Sequence, residues 1–227
     1  MEEKLHFDNL NLNERVYLHL RDKIVNSELK PGSKIEYEQL IAELGVSRTP
    51  LRDALNRLQL DNLIEVKPRS GTYVSIPRSK DIQEIYDVRK PLECVAVELA
   101  APHVSKEVYT ALLEEADHAE ADLEKGSADT FFQSDRNLHN TFIQHSNNNR
   151  LIMIMNSLEV QIKWFGVIMT VNFDRPLQAI GMHRKIIKAM YNNQIDNAKE
   201  LMGRHIDEVR QDIFHDFLQR EQAGREV

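Results

Sequence analysis

Apolar positions change their period along this chain, and the change divides it into two parts. Val16, Leu20 and Ile24 recur at helical spacing, so residues 13–27 read as a helix with Asn13 as its cap. Leu29-Lys30-Pro31-Gly32-Ser33 is a turn signal that ends it. A short helix follows over residues 37–44, closed by Gly45, and a third starts after Ser47. Residues 63–67 and 72–76 are short β-prone runs around Pro68-Arg69-Ser70-Gly71, which predicts a β-hairpin. After Pro77-Arg78-Ser79-Lys80 no strand signal returns. Six helices are expected, over residues 80–102, 105–124, 127–146, 149–171, 175–192 and 194–219. Their breaks fall at Pro102-His103, Gly126-Ser127, Asn147-Asn148-Asn149 and Asn172-Phe173-Asp174. Ser105 and Asp174 are the expected helix starts.

The fold class is therefore mainly α. A winged helix-turn-helix over residues 9–76 precedes an all-α antiparallel bundle over residues 80–220. A length of 227 residues suits two such units. Composition adds little: 41% hydrophobic and 29% charged residues describe a globular protein rather than a disordered one. A single cysteine, Cys94, excludes an internal disulfide and fits a reducing cytoplasmic location, with the thiol as a small buried side chain. The opening Met1-Glu2-Glu3-Lys4 does not resemble a signal peptide, and no apolar run reaches membrane-spanning length.

The net charge of −7 argues against nucleic acid only until it is divided by segment. Between Arg48 and Arg69 the cations Arg48, Arg52, Arg57, Lys67 and Arg69 face only Asp53, Asp61 and Glu65. A DNA-binding face needs local positive potential, not a basic whole. In the third helix Leu51, Ala54, Leu55 and Leu58 share the buried face. Arg48 and Arg52 share another, near the N-terminus, where a recognition helix reaches base edges in the major groove. Ser47 caps that helix, and Pro50 is tolerated because first-turn amides have no intrahelical partner. Ser47 and Thr49 can donate to phosphates, and Arg57 is a weaker candidate for a backbone contact. Gly71 at the hairpin tip allows close approach to the duplex, with Arg69 beside it for phosphates or the minor groove.

The run Gly45-Val46-Ser47-Arg48-Thr49-Pro50-Leu51-Arg52-Asp53-Ala54-Leu55, preceded by Leu29-Lys30-Pro31-Gly32, closely resembles the GntR family of bacterial transcription regulators over residues 12–76. Glu38 departs from the pattern: fatty-acid-responsive members carry a DNA-contacting arginine there, so that contact is not carried over. Ile41 replaces the usual small residue of this helix.

In the second half Asp135 and His139 lie four apart on one helix face, and His183 and His205 fall on the last two helices. Three imidazoles and a carboxylate suit Zn, Ni, Mn or Fe as a divalent ion, although a helical histidine is more often structural than a ligand. This half resembles the FCD effector-binding domain of the VanR-type subgroup. The resemblance implies that these four residues hold a divalent metal, which in turn coordinates a small organic acid. Asp87-Val88-Arg89-Lys90-Pro91-Leu92-Glu93 matches the usual first effector-domain helix and makes Arg89 the candidate partner of an effector carboxylate. Pro91 is expected to bend that helix. Met153, Met155 and Met169 are expected in the core, and Trp164 in the core or lining the pocket. His215-Asp216 resembles the pair of metal-dependent phosphohydrolases, but no aspartate follows downstream.

The expected function is a homodimeric, ligand-responsive repressor on a palindromic operator, not an enzyme. A constitutive regulator with a purely structural metal and a metal-dependent hydrolase are the alternatives.

Overall fold

The computed structural model describes residues 11–169 and 174–222. Among them are helices α1 (Leu12–Val25), α2 (Tyr37–Leu44) and α3 (Arg48–Leu60), strands β1 (Ile64–Lys67) and β2 (Gly71–Val74), and helices α4 (Ser79–Ala100), α5 (Lys106–Glu124), α6 (Asp129–His145), α7 (Asn149–Met169), α8 (Asp174–Tyr191) and α9 (Ile195–Gln222). The fold is mostly helical, with an N-terminal winged helix-turn-helix and a C-terminal helical domain. Two compact units divide it: one runs up to Arg78 and takes in Val160–Ile168 of α7, and the other contains Ser79–Glu159 and Met169–Leu218. No described helix is long and apolar enough to cross a membrane.

In the N-terminal unit, α1 lies against α3 and buries Val16, Leu20 and Ile24 with Leu51, Ala54, Leu55 and Leu58. Its cap is Asn11, not Asn13. The Asn11 side chain accepts from the Glu14 amide at 2.8 Å, while Asn13 reaches across to donate to Asp53 at 3.1 Å. The helix begins one residue earlier than the apolar spacing suggests, because the cap is chosen by which carboxamide can turn back onto a free amide. Gly45 closes α2 with φ 63°, the left-handed conformation that glycine adopts without a Cβ penalty.

β1 and β2 are antiparallel, with Ile64 opposite Val74 and Lys67 opposite Gly71. The segment around Lys34, read above only as the end of a turn, runs along the other edge of β2. Ile35 donates to the Thr72 carbonyl at 2.8 Å and Val74 to the Ser33 carbonyl at 2.9 Å. The hairpin turn itself occupies residues 68–70.

In the C-terminal unit α5 packs on α6 and α8, and α6 also meets α4 and α8. Ala116, Ala119, Leu123, Phe131 and Ile180 form one core cluster there, the two alanines letting helices approach closely. Ion pairs Lys199–Glu98 and Arg210–Asp87 tie α9 to α4. Asn148 accepts from the amides of Arg150 and Leu151 at the start of α7.

Several expectations for this half need correction. Met155 is buried, but Met153 is 62% exposed, since the two lie on opposite sides of α7. Cys94 is only half-buried, its thiol directed at the Lys199 carbonyl. Trp164 is core, at 2% exposure. The side chain of Met169 and the expected break at Asn172-Phe173 lie outside the described residues. Asp216, read above beside His215, is held in an ion pair by Arg175.

Candidate functional site

The helix-turn-helix is α2, the Gly45 turn and α3. Ser47 occupies the N-cap position with extended backbone (φ −79°, ψ 170°), but its hydroxyl makes no capping hydrogen bond. Leu51, Leu55 and Leu58 hold the inner face of α3, and Ser47, Arg48, Thr49 and Arg52 stand exposed at its N-terminal end. Arg48 donates to Glu38 of α2 at 2.6 Å, yet both side chains remain largely in solvent, at 80% and 74% exposure. Such a pair is worth at most about 1 kcal/mol and yields readily to a phosphate or base. Arg52 makes no ion pair among the described residues.

Arg57 is placed differently. Its guanidinium lies 3.8 Å from the centroid of the Tyr17 ring and pairs with Glu14 of α1, so it braces α1 against α3. The Tyr17 hydroxyl in turn donates to Asp61 at 2.7 Å, and burial with that carboxylate pushes its pKa up to about 12. At the wing, Arg69 is exposed at the turn with φ 64°, and Gly71 opens β2 with φ 133°. A Cβ on Gly71 would stand 3.1 Å from Cε of the flexible Lys34 side chain, which would have to shift slightly, so the backbone conformation is the constraint that favours glycine here.

In the helical unit, α6 contributes Asp135 and His139, α8 contributes His183, and α9 contributes His205. One ligand atom from each lies within 4.8 Å of all the others. The Nε2 atoms of His183 and His205 are 3.2 Å apart, and those of His205 and His139 3.3 Å. Asp135 Oδ1 stands 3.5 Å from His183 Nε2 and 3.8 Å from His139 Nε2. A proton on His205 Nε2 could serve only one of its two neighbouring nitrogens. A single cation serves every lone pair, and metal–nitrogen bonds of about 2.0–2.1 Å in a tetrahedron give ligand separations of about 3.3–3.4 Å. The donor set suits a divalent ion, and the two separations at His205 match that spacing while those at Asp135 are longer.

Burial favours the neutral form of His183 and His205, the form a metal requires. His183 is pulled down to about 4 by burial, against the opposing charge of Asp135. His205 falls well below the ordinary histidine range through burial and the neighbouring His183 and His139. Asp135, at 32% side-chain exposure, is the one partly open member of the four.

The residue that the sequence reading passed over is Glu93. It is 2% exposed; its Oε1 accepts from Arg89 Nε at 2.5 Å and its Oε2 meets His139 Nδ1. Burial raises a carboxyl pKa, but the charge of Arg89, with the hydrogen bonds from His139 and Arg89, outweighs it and holds Glu93 well below the usual carboxylate range. Arg89 is itself buried, its Nη1 3.4 Å from the Tyr86 hydroxyl, so part of its guanidinium is already engaged inside the protein. The i,i+4 spacing of Arg89 and Glu93 was the available signal; that both face inward toward α6 was not readable.

A glycine-turned helix pair with exposed arginines, a two-stranded wing and a separate helical domain define a winged-helix transcription regulator. The chain belongs to the gntR family of bacterial regulatory proteins, matched over residues 12–74, and to the FCD-domain proteins, matched over residues 84–208. These are DNA-binding transcriptional regulators that act on operators, not enzymes. The chain is 28% identical to the HTH-type transcriptional regulator YdhC of Bacillus subtilis over 88% of this chain and 89% of that protein. It is 26% identical to the gluconate operon transcriptional repressor of Bacillus licheniformis over 86% and 82% respectively. Among solved structures, Escherichia coli McbR/YncC shares the fold with a TM-score of 0.77 at 21% identity, covering 92% of this chain and 99% of that one.

Proposed function

We propose that this regulator is a cytoplasmic homodimeric repressor whose operator affinity is set by a small organic acid bound at a divalent metal held by Asp135, His139, His183 and His205. The observation that carries the reading is the convergence of three imidazole Nε2 atoms and one carboxylate oxygen from α6, α8 and α9. Zn, Ni, Mn and Fe all accept this donor set, and four protein ligands leave further positions for a chelating acid on the ions that take six. Arg89 is the nearby cation for an effector carboxylate. Repression is the direction given for the gluconate operon relative.

On DNA, Arg48 and Arg52 read the major groove, Ser47 and Thr49 contact phosphates, and Arg69 with Gly71 brings the wing to the backbone or minor groove. Two copies related by a two-fold axis match a palindromic operator, each supplying one recognition helix and one wing. The residue-range division proposed is residues 9–76 for DNA and 80–220 for metal and effector. The acid regulates only to the extent that it prefers one arrangement of the dimer over another.

The deciding experiment is a thermal-shift screen of small organic acids on metal-loaded protein, followed by operator titration with each hit. The expected result is an acid that stabilises only the metal-loaded form and changes operator affinity. The near-complete burial of the three histidines favours one second reading, a purely structural metal. Operator affinity indifferent to every stabilising acid would establish that reading and overturn the first.

A further inference from the structure

Glu93 occupies an unusual position for a buried carboxylate facing an arginine. Arg–carboxylate pairs tend to be forked, two donors to two oxygens. Here Arg89 engages Oε1 through Nε, while Oε2 is given to His139 Nδ1. All three residues are at most 5% exposed. His139 thus has a carboxylate behind it and the convergent cluster in front of its Nε2. His183 offers the contrast: its Nδ1 is equally buried and has no hydrogen-bond partner. Glu93 comes from α4, which supplies none of the four convergent residues and is the helix that follows the wing in sequence.

We infer that Glu93 is a positioning residue of the metal centre, fixing His139 as the Nδ1–H tautomer so that its Nε2 lone pair faces the ion, while Arg89 anchors the carboxylate. The inference rests on the metal reading above. A ligand imidazole that donates its distal N–H to a carboxylate is held in orientation and made a stronger donor, and loss of such a partner typically weakens metal binding about 10–100-fold. The same chain, Arg89 to Glu93 to His139, ties α4 to the metal. Arg89 then has a task independent of any effector, and substitutions there act on the metal as well.

The test uses the full-length protein and Zn²⁺ as the probe, in competition with a chromophoric chelator. Glu93→Gln is expected to weaken Zn²⁺ binding about 10–100-fold. Because that variant leaves the Arg89 charge buried alone, the double variant Arg89→Met/Glu93→Gln, which removes both charges, carries the decision. Weakening in the same range supports the positioning role, whereas wild-type affinity would mean that Glu93 only neutralises Arg89, and would overturn it. Imidazole ¹⁵N NMR of metal-free wild-type protein gives an independent reading: Nδ1–H on His139 is expected, and Nε2–H would refute the assignment. Failure of the wild type to bind Zn²⁺, Ni²⁺, Mn²⁺ or Fe²⁺ would remove the metal reading itself, an outcome distinct from normal binding with an unaffected double variant.

Discussion

At the scale of single residues, arginines of the same segment have different work. Arg52 projects into solvent from the first turns of α3, and Arg52→Ala is expected to weaken operator binding by about 1–3 kcal/mol and relax preference at one base position. Equal loss on unrelated DNA, measured by fluorescence anisotropy, would reassign it to a phosphate. Arg57 stacks on Tyr17, so Arg57→Ala should lower the urea midpoint, with about 0.5–1 kcal/mol lost from the cation–π contact, and leave base preference intact. Glu38 draws on the same Arg48 that is proposed to contact DNA. Glu38→Gln is expected to tighten operator and non-specific binding alike, read in the same anisotropy assay; unchanged affinity would show that the pair dissolves without cost on binding. Sequence alone placed Arg48, Arg52 and Arg57 correctly on α3, but an aromatic partner 40 residues away was invisible to it.

At the scale of elements, a few residues hold each turn. Gly45 has φ 63° and open space where a Cβ would sit. Gly45→Ala is therefore expected to cost about 1–2 kcal/mol by backbone conformation alone, without a clash, as a fall in denaturation midpoint. α2 over Tyr37–Leu44 and the break at Gly45 were legible because glycine ends a helix for a local reason. The cap of α1 was not. Asn11 and Asn13 are both asparagines near the right place, and the choice depends on Asn13 finding Asp53 on α3.

At the scale of the whole molecule, α6, α8 and α9 meet at the four convergent ligands, so a bound ion would cross-link three helices. A ligand specific to the folded state stabilises by about 2.7 kcal/mol at a hundredfold excess over Kd. Stripping the metal with a chelator is accordingly expected to lower Tm, and His139→Ala should lose the metal by elemental analysis and abolish that chelator effect. Full metal content in the variant would dismantle the cluster.

What the sequence determined by itself was whatever has a short-range cause: the helical and strand periods, the glycine turn, the apolar face of α3, and the i,i+4 pairing of Asp135 with His139. It also supplied the residue types for a metal, since imidazole and carboxylate chemistry belongs to the side chain and not to its neighbours. Only the tertiary structure decided which polar groups face each other across helices. Burial of Glu93 between Arg89 and His139, and the bracing of Arg57 on Tyr17, depend on how α4 meets α6 and α1 meets α3. Those approaches are set by side-chain packing over the whole core, which no local pattern encodes.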